Sequence, residues 1–203
     1  MKPICLIASA RTYSNYVFRY VRNYNRENFG ILATWPSEFL TENDPEELEL
    51  RLHWLSECRK HNVEFSIKIM SNFVSEEWVK EFYENWRIVK LVRKNTYRQL
   101  LSYIFVILNG HKSHHTSLVE SKIHLNKIQI EKWQVEVSYD IMRKHLEFLP
   151  EAEIWYSEEF DKEVETPYVS TEEINYEDYI ENLLEVQMWL DELDEENNLL
   201  GAF

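Results

Sequence analysis

The 203 residues carry 36 acidic against 22 basic side chains, and the net charge of −14 excludes the broad basic footprint of a general nucleic-acid binder. An apolar share of 44% with seven Trp excludes a disordered chain, and three Gly with five Pro exclude a collagen-like protein, a Gly-rich linker and a turn-rich all-β fold. Two Cys, Cys5 and Cys58, without metal-ligand spacing form neither a disulfide framework nor a zinc knuckle, and read as interior thiols of a reducing compartment.

Pro3 to Ser9 is a short, continuous apolar run, the pattern of a strand buried on both faces. It breaks at Ala10-Arg11-Thr12-Tyr13-Ser14-Asn15. Tyr16, Val17, Tyr20, Val21 and Tyr24 then recur at helical spacing. A loop is expected around 28–43, with Gly30 and Trp35-Pro36-Ser37-Glu38-Phe39 in it. Asp44-Pro45-Glu46-Glu47 is a helix start, an acid at the N-cap and Pro at the first helical position. That helix runs to Lys60 on the stripe Leu48, Leu52, Leu55.

Val63 to Met70 alternates and predicts a strand, and Ser75-Glu76-Glu77-Trp78 starts a short helix. Ile88 to Val92 is a third strand, giving way at Arg93-Lys94-Asn95 to a helix from Thr96 to Leu108. A His-containing loop over 109–121 precedes a helix expected from Asn126 to Phe148. Ala152 to Tyr156 is the last strand, and beyond Pro167 an amphipathic acidic helix is expected from Tyr176 to Leu193.

Strands alternating with helices predict an α/β fold, a central, mostly parallel sheet flanked by helices over residues 1–160. Residues 161–203 form an acidic linker and helix. Residues 151–203 hold 18 acids and one base, leaving 21 bases against 18 acids in the body. A mildly basic body can take a compact anion locally. No run approaches the roughly 18 apolar residues of a membrane span, and the N-terminal apolar run is too short for a signal peptide. No membrane association and a cytoplasmic location are therefore expected.

In parallel sheets ligands bind beyond the carboxyl ends of the strands, which singles out 9–15, 68–72, 93–96 and 156–160. In the first turn, free amides at a helix N-terminus, hydroxyls at Thr12 and Ser14, and the guanidinium of Arg11 suit phosphate or sulfate. The alternative is that Thr12 or Ser14 merely caps the helix and Arg11 is solvated. A Walker A loop is excluded, since Gly-x-x-x-x-Gly-Lys is absent. Arg93 at a strand end and Ser102 on the following helix could converge on one anion. The alternative is a solvated Arg93 and a Ser102 facing a neighbouring helix.

Together these segments resemble the sulfotransferase family, over most of residues 3–160. Arg11-Thr12-Tyr13-Ser14-Asn15 stands where the family carries its 5′-phosphosulfate loop, often Arg-Thr-Gly-Ser-Thr. Arg93 and Ser102 match its 3′-phosphate pair, and the wording around them looks most like the bacterial trehalose sulfotransferase branch. Tyr156-Ser157-Glu158-Glu159-Phe160 resembles a later family segment. Tyr13 departs from the usual Gly, which tolerates close backbone approach, and Asn15 from a common Thr.

The resemblance implies a P-loop NTPase-like fold and 3′-phosphoadenylyl sulfate (PAPS) as co-substrate, without metal. It implies binding of PAPS by Arg11, Thr12, Tyr13, Ser14, Asn15, Arg93 and Ser102, and a small-molecule or carbohydrate hydroxyl as acceptor. It also implies Glu38 as the base and Lys68 as a transition-state cation. A surface Glu38 and a Lys68 on the polar face of an alternating strand, with Ser66, are the alternatives. His53, His61, His111, His114 and His115 are other candidate bases, and the last three, which could instead bind acceptor or a metal, read rather as a solvated loop. Trp133, at helical spacing with Ile130 and Val137, reads as core rather than as an adenine stack.

Two other functions compete: a P-loop kinase, disfavoured by the missing Gly-Lys-Ser/Thr, and a non-catalytic nucleotide-binding or interaction protein that kept the fold. The acidic helix either packs on its own chain or exchanges to make a homodimer.

Overall fold

The computed structural model describes residues 1–9, 12, 14–34, 45–108, 127–160 and 175–197. Arg11, Tyr13, Glu38, His111, His114 and His115 lie outside these residues. The chain divides into two compact units: Met1–Arg93 with Lys144–Phe160, and Lys94–Arg143 with Asp161–Phe203. No helix among the described residues is long and apolar enough to cross a membrane.

In the first unit, β1 (Ile4–Ala8) leads to helix α1 (Ser14–Phe29). Then follow β2 (Ala33–Thr34), α2 (Pro45–Lys60), β3 (Phe65–Ser66), β4 (Lys68–Met70), α3 (Glu76–Phe82) and β5 (Arg87–Val92). The second unit contributes α4 (Thr96–Leu108) and most of α5 (Lys132–Glu147), whose last turn belongs to the first unit. β6 (Glu153–Tyr156) completes the first unit, and α6 (Leu183–Asn197) lies in the second.

The main sheet has the order β4-β1-β5-β6, all parallel. β1 is buried along its whole length because alternate side chains feed two cores. Cys5 and Ile7 join Leu55, Ile69, Val79 and Tyr83 on one face. Ile4, Leu6 and Ala8 join Val17, Phe18 and Val21 of α1 on the other. Two covered faces explain the unbroken apolar run. From β1 the chain goes to β4 on one side and later to β5 on the other, so the strand order reverses between β1 and β5.

The strand expected over Val63 to Met70 is two strands. β3 pairs with β2, and β4, one residue further on, pairs with β1. Ser66 and Lys68 are buried rather than solvated, because here too both faces of the sheet are covered. β2 and the last turn of α1 occupy part of the expected loop. Gly30, at φ 68°, ends α1 in the left-handed region, with its N–H donating to the Arg26 carbonyl at 3.0 Å. Cys5 is fully buried, which pushes its thiol pKa up, while Cys58 is only half-buried.

Asn25 is an interior polar side chain on the apolar stripe of α1. Its Oδ1 accepts from the Ile4 N–H and its Nδ2 donates to the Ile4 carbonyl, both at 2.8 Å. Nδ2 also reaches Ser66 Oγ at 3.1 Å. One carboxamide thus stands in for a neighbouring strand beside the first residue of β1. α3 starts as expected: the Ser75 hydroxyl accepts from the Trp78 N–H at 3.2 Å. Ser75→Ala is expected to cost about 1 kcal/mol in urea unfolding; an unchanged midpoint would remove the cap from the account of α3.

The second unit uses the same carboxamide device. Asn182 accepts from the Ile130 N–H at 2.9 Å and donates to its carbonyl at 2.8 Å, beside a bridge between Ile128 and Ile180. These pairings hold 127–131 extended, so α5 begins at Lys132 and not at Asn126. The helix expected from Tyr176 is likewise a 3₁₀ turn at Tyr176–Asp178, then α6 from Leu183. Tyr176, Ile180, Val186 and Leu190 are buried, whereas Leu184 is 76% exposed and lies off the packed stripe. α6 is tied to α5 by Tyr139 Oη donating to Asp194 at 3.0 Å and by a Lys132–Glu192 ion pair at 2.7 Å. Trp133 is exposed on α5, not core.

Candidate functional site

The first turn leaves β1 at Ser9 and enters α1 at Ser14. Thr12 is fully buried and its hydroxyl donates to the Ser9 carbonyl at 2.8 Å. That proton closes the turn and is not offered to an anion, contrary to the expected donor role. Ser14 is also buried, and Asn15 is half-buried on the first turn of the helix.

Lys68, the first residue of β4, is only 4% exposed. Its ammonium donates to Ser14 Oγ at 3.2 Å and to Asn15 Oδ1 at 2.6 Å. Two segments 53 and 54 residues apart therefore meet beyond β1. Because Lys68 fills a lone pair of Ser14, the Ser14 hydroxyl proton is left to donate elsewhere. A buried cation, a hydroxyl donor and the amides at the start of a 16-residue helix make a locally positive spot.

Arg93 follows the last residue of β5 and is 2% exposed, not solvated. Its Nε stands 3.9 Å from a carboxylate oxygen of Glu158, which lies in the 3₁₀ turn Ser157–Glu159 after β6. The end of β5 borders that of β1 in the sheet, at the point where strand order reverses. Open α/β sheets bind ligands at such points. Ser102 is buried in α4 and belongs to the second unit. Asn95 caps α4, its Oδ1 accepting from the Arg98 N–H at 2.8 Å. His53 and His61 are exposed. Among the described residues no three His, Cys, Asp or Glu gather as a metal site.

Two buried groups at this end of the sheet escaped the sequence reading. Lys90, inside β5, donates to the carbonyls of Leu146 and Phe148 at 2.7 and 3.0 Å, tying down the C-terminal end of α5. Burial lowers its pKa, against the carboxylates of Glu76 and Glu151. His145, in the last turn of α5, has Nδ1 at 2.8 Å from Ser71 Oγ and Nε2 at 3.0 Å from the Leu91 carbonyl. Burial drives its pKa down to about 4, and nearby Lys90 pushes the same way. The sequence signals were present: Lys90 breaks a continuous apolar run, and His145 lies on the stripe Tyr139, Met142, Leu146.

No family model, curated protein or solved structure matches this chain.

Proposed function

We propose that this chain is a sulfotransferase-like protein of P-loop-like fold and cytoplasmic location. In this reading it moves a sulfuryl group from PAPS to a hydroxyl of a small-molecule or carbohydrate acceptor. The observation that carries the reading is the convergence of buried Lys68 on Ser14 and Asn15 at the start of α1, beyond the end of β1. An anionic phosphosulfate would gain most there from a fixed ammonium, a hydroxyl proton and helix amides.

In the transfer, the bond from sulfur to the phosphate oxygen breaks and a bond to the acceptor oxygen forms. Negative charge grows on the bridging oxygen, and Lys68 is the group that offsets it. The resemblance gives Arg11 a part in binding the transferring group and Glu38 the acceptor proton; both lie outside the described residues. The resemblance assigns Arg93 and Ser102 to the 3′-phosphate. The ion pair between Arg93 and Glu158 favours a second reading, a non-catalytic interaction protein that does not take the nucleotide, because a carboxylate already stands beside the cation a phosphate needs.

A thermal-shift titration separates the two. The product nucleotide 3′-phosphoadenosine 5′-phosphate (PAP) is expected to raise Tm, and ATP with Mg²⁺ is not. In calorimetry, Arg93→Ala is expected to cost PAP binding about 1.5–3 kcal/mol, the worth of a charge-assisted contact, while Lys94→Ala leaves it unchanged. No response of the wild type to PAP defeats the nucleotide assignment. Equal losses in the two variants defeat the role given to Arg93.

A further inference from the structure

Ser71 is the first residue beyond β4. Its backbone N–H donates to the Ala8 carbonyl at 3.1 Å, and the turn is closed by the Phe73 N–H on the Met70 carbonyl at 3.1 Å. The backbone is thus fixed without help from the Ser71 side chain. The hydroxyl oxygen lies 2.8 Å from His145 Nδ1. On the far side of the ring, Nε2 lies 3.0 Å from the Leu91 carbonyl.

A carbonyl oxygen brings no proton, so Nε2 carries the hydrogen and Nδ1 presents its lone pair. Ser71 must then donate to Nδ1. A hydroxyl held on the free lone pair of a neutral imidazole, with the other ring nitrogen locked by a third group, is the arrangement that activates a serine nucleophile. It stands at the carboxyl end of parallel strands, where such sheets place their chemistry.

We propose that Ser71 is a nucleophile, with His145 as its base and the Leu91 carbonyl as the orienting group, and that it takes small carboxylic esters. Ser71 Oγ attacks the ester carbonyl carbon and its proton passes to Nδ1. The bond to the leaving alcohol breaks, and the alcohol takes that proton. Water then attacks the acyl-serine, again giving a proton to Nδ1. The carboxylic acid leaves, and the Ser71 hydroxyl is restored as the proton returns to its oxygen.

Packing alone does not require this pair, since apolar side chains of the same shape can hold a buried position at similar stability. Ser71 retains 9% exposure, while His145 beneath it is 2% exposed. The ring is neutral at physiological pH because burial opposes protonation, while the Leu91 carbonyl on Nε2 favours the protonated ring and the charge of Lys90 on β5 disfavours it. Lys90 is itself held by the carbonyls of Leu146 and Phe148. The proposal does not depend on PAPS binding and is tested without it.

The folded wild-type chain is treated with diisopropyl fluorophosphate at neutral pH and the adduct is mapped by peptide mass spectrometry. A single adduct on Ser71, absent when the chain is labelled unfolded in urea, is the expected result and needs no variant. Ser71→Ala should abolish it, and His145→Gln, checked for fold by circular dichroism, should slow it roughly 100-fold or more. No adduct on Ser71, or labelling at the same rate in the unfolded chain, would overturn the proposal.

Discussion

Asn25→Ala is expected to destabilise the protein by about 2–5 kcal/mol, since two buried backbone groups lose their partners at once. The Ile4 N–H and carbonyl are both served by this one carboxamide at 2.8 Å, and Asn25 is fully buried. Alanine leaves a buried donor and a buried acceptor without their partner, and it strips Ser66 Oγ of the Asn25 Nδ2 donor. Asn25→Asp is the informative companion. It keeps an acceptor for the Ile4 N–H but sets carboxylate oxygen against the Ile4 carbonyl, so it too should destabilise. Urea unfolding measures both. A loss under about 1 kcal/mol for Asn25→Ala would mean that β1 does not depend on the carboxamide.

Acid should weaken the fold before the carboxylates titrate, and His145 is the reason. Its folded pKa, about 4, lies below the ordinary value of 6.5. Between those values the unfolded chain takes up a proton that the folded chain refuses. The contribution is therefore complete above pH 6.5 and is lost as pH falls towards 4. The shift corresponds to about 3 kcal/mol over the whole window, with roughly two-thirds gone by pH 5. The exposed carboxylates with lowered pKa, Glu57, Glu77, Glu151 and Glu153, add their losses at lower pH. Urea unfolding at pH 7.5, 6 and 5 should show the decline in the wild type, and His145→Gln should flatten it. A wild type equally stable at pH 7.5 and 5 would show that the folded protein accepts the proton without cost.

These two residues bear on how the site is held. Asn25 anchors the start of β1, whose far end delivers Ser9, Thr12 and Ser14 to the first turn. His145 and Lys90 anchor the last turn of α5 against β5, whose end delivers Arg93. Asn25 need touch no ligand for its loss to disturb the placement of the residues that do.

The sequence by itself determined the alternation of strands and helices, because 3.6-residue and unbroken apolar patterns report directly on which faces are covered. It determined that β1 is a doubly buried strand, and that Ser75 begins a helix, because a cap acts within three residues. It also pointed to residues 9–15 and 93 as strand-end positions.

Tertiary structure alone decided the rest. Lys68 reads in one dimension as the polar member of an alternating strand, and only the pairing of β4 with β1 carries it to Ser14 and Asn15. The proton of Thr12 reads as available until the turn folds it onto Ser9. The late start of α5 follows from Asn182 and Ile180, about 50 residues away in sequence. Ser71 and His145 are 74 residues apart, and no local pattern couples them. Local periodicity records how each segment is covered. Which polar side chain satisfies which buried partner is settled only when distant segments meet, because an unpaired buried group costs too much to leave alone.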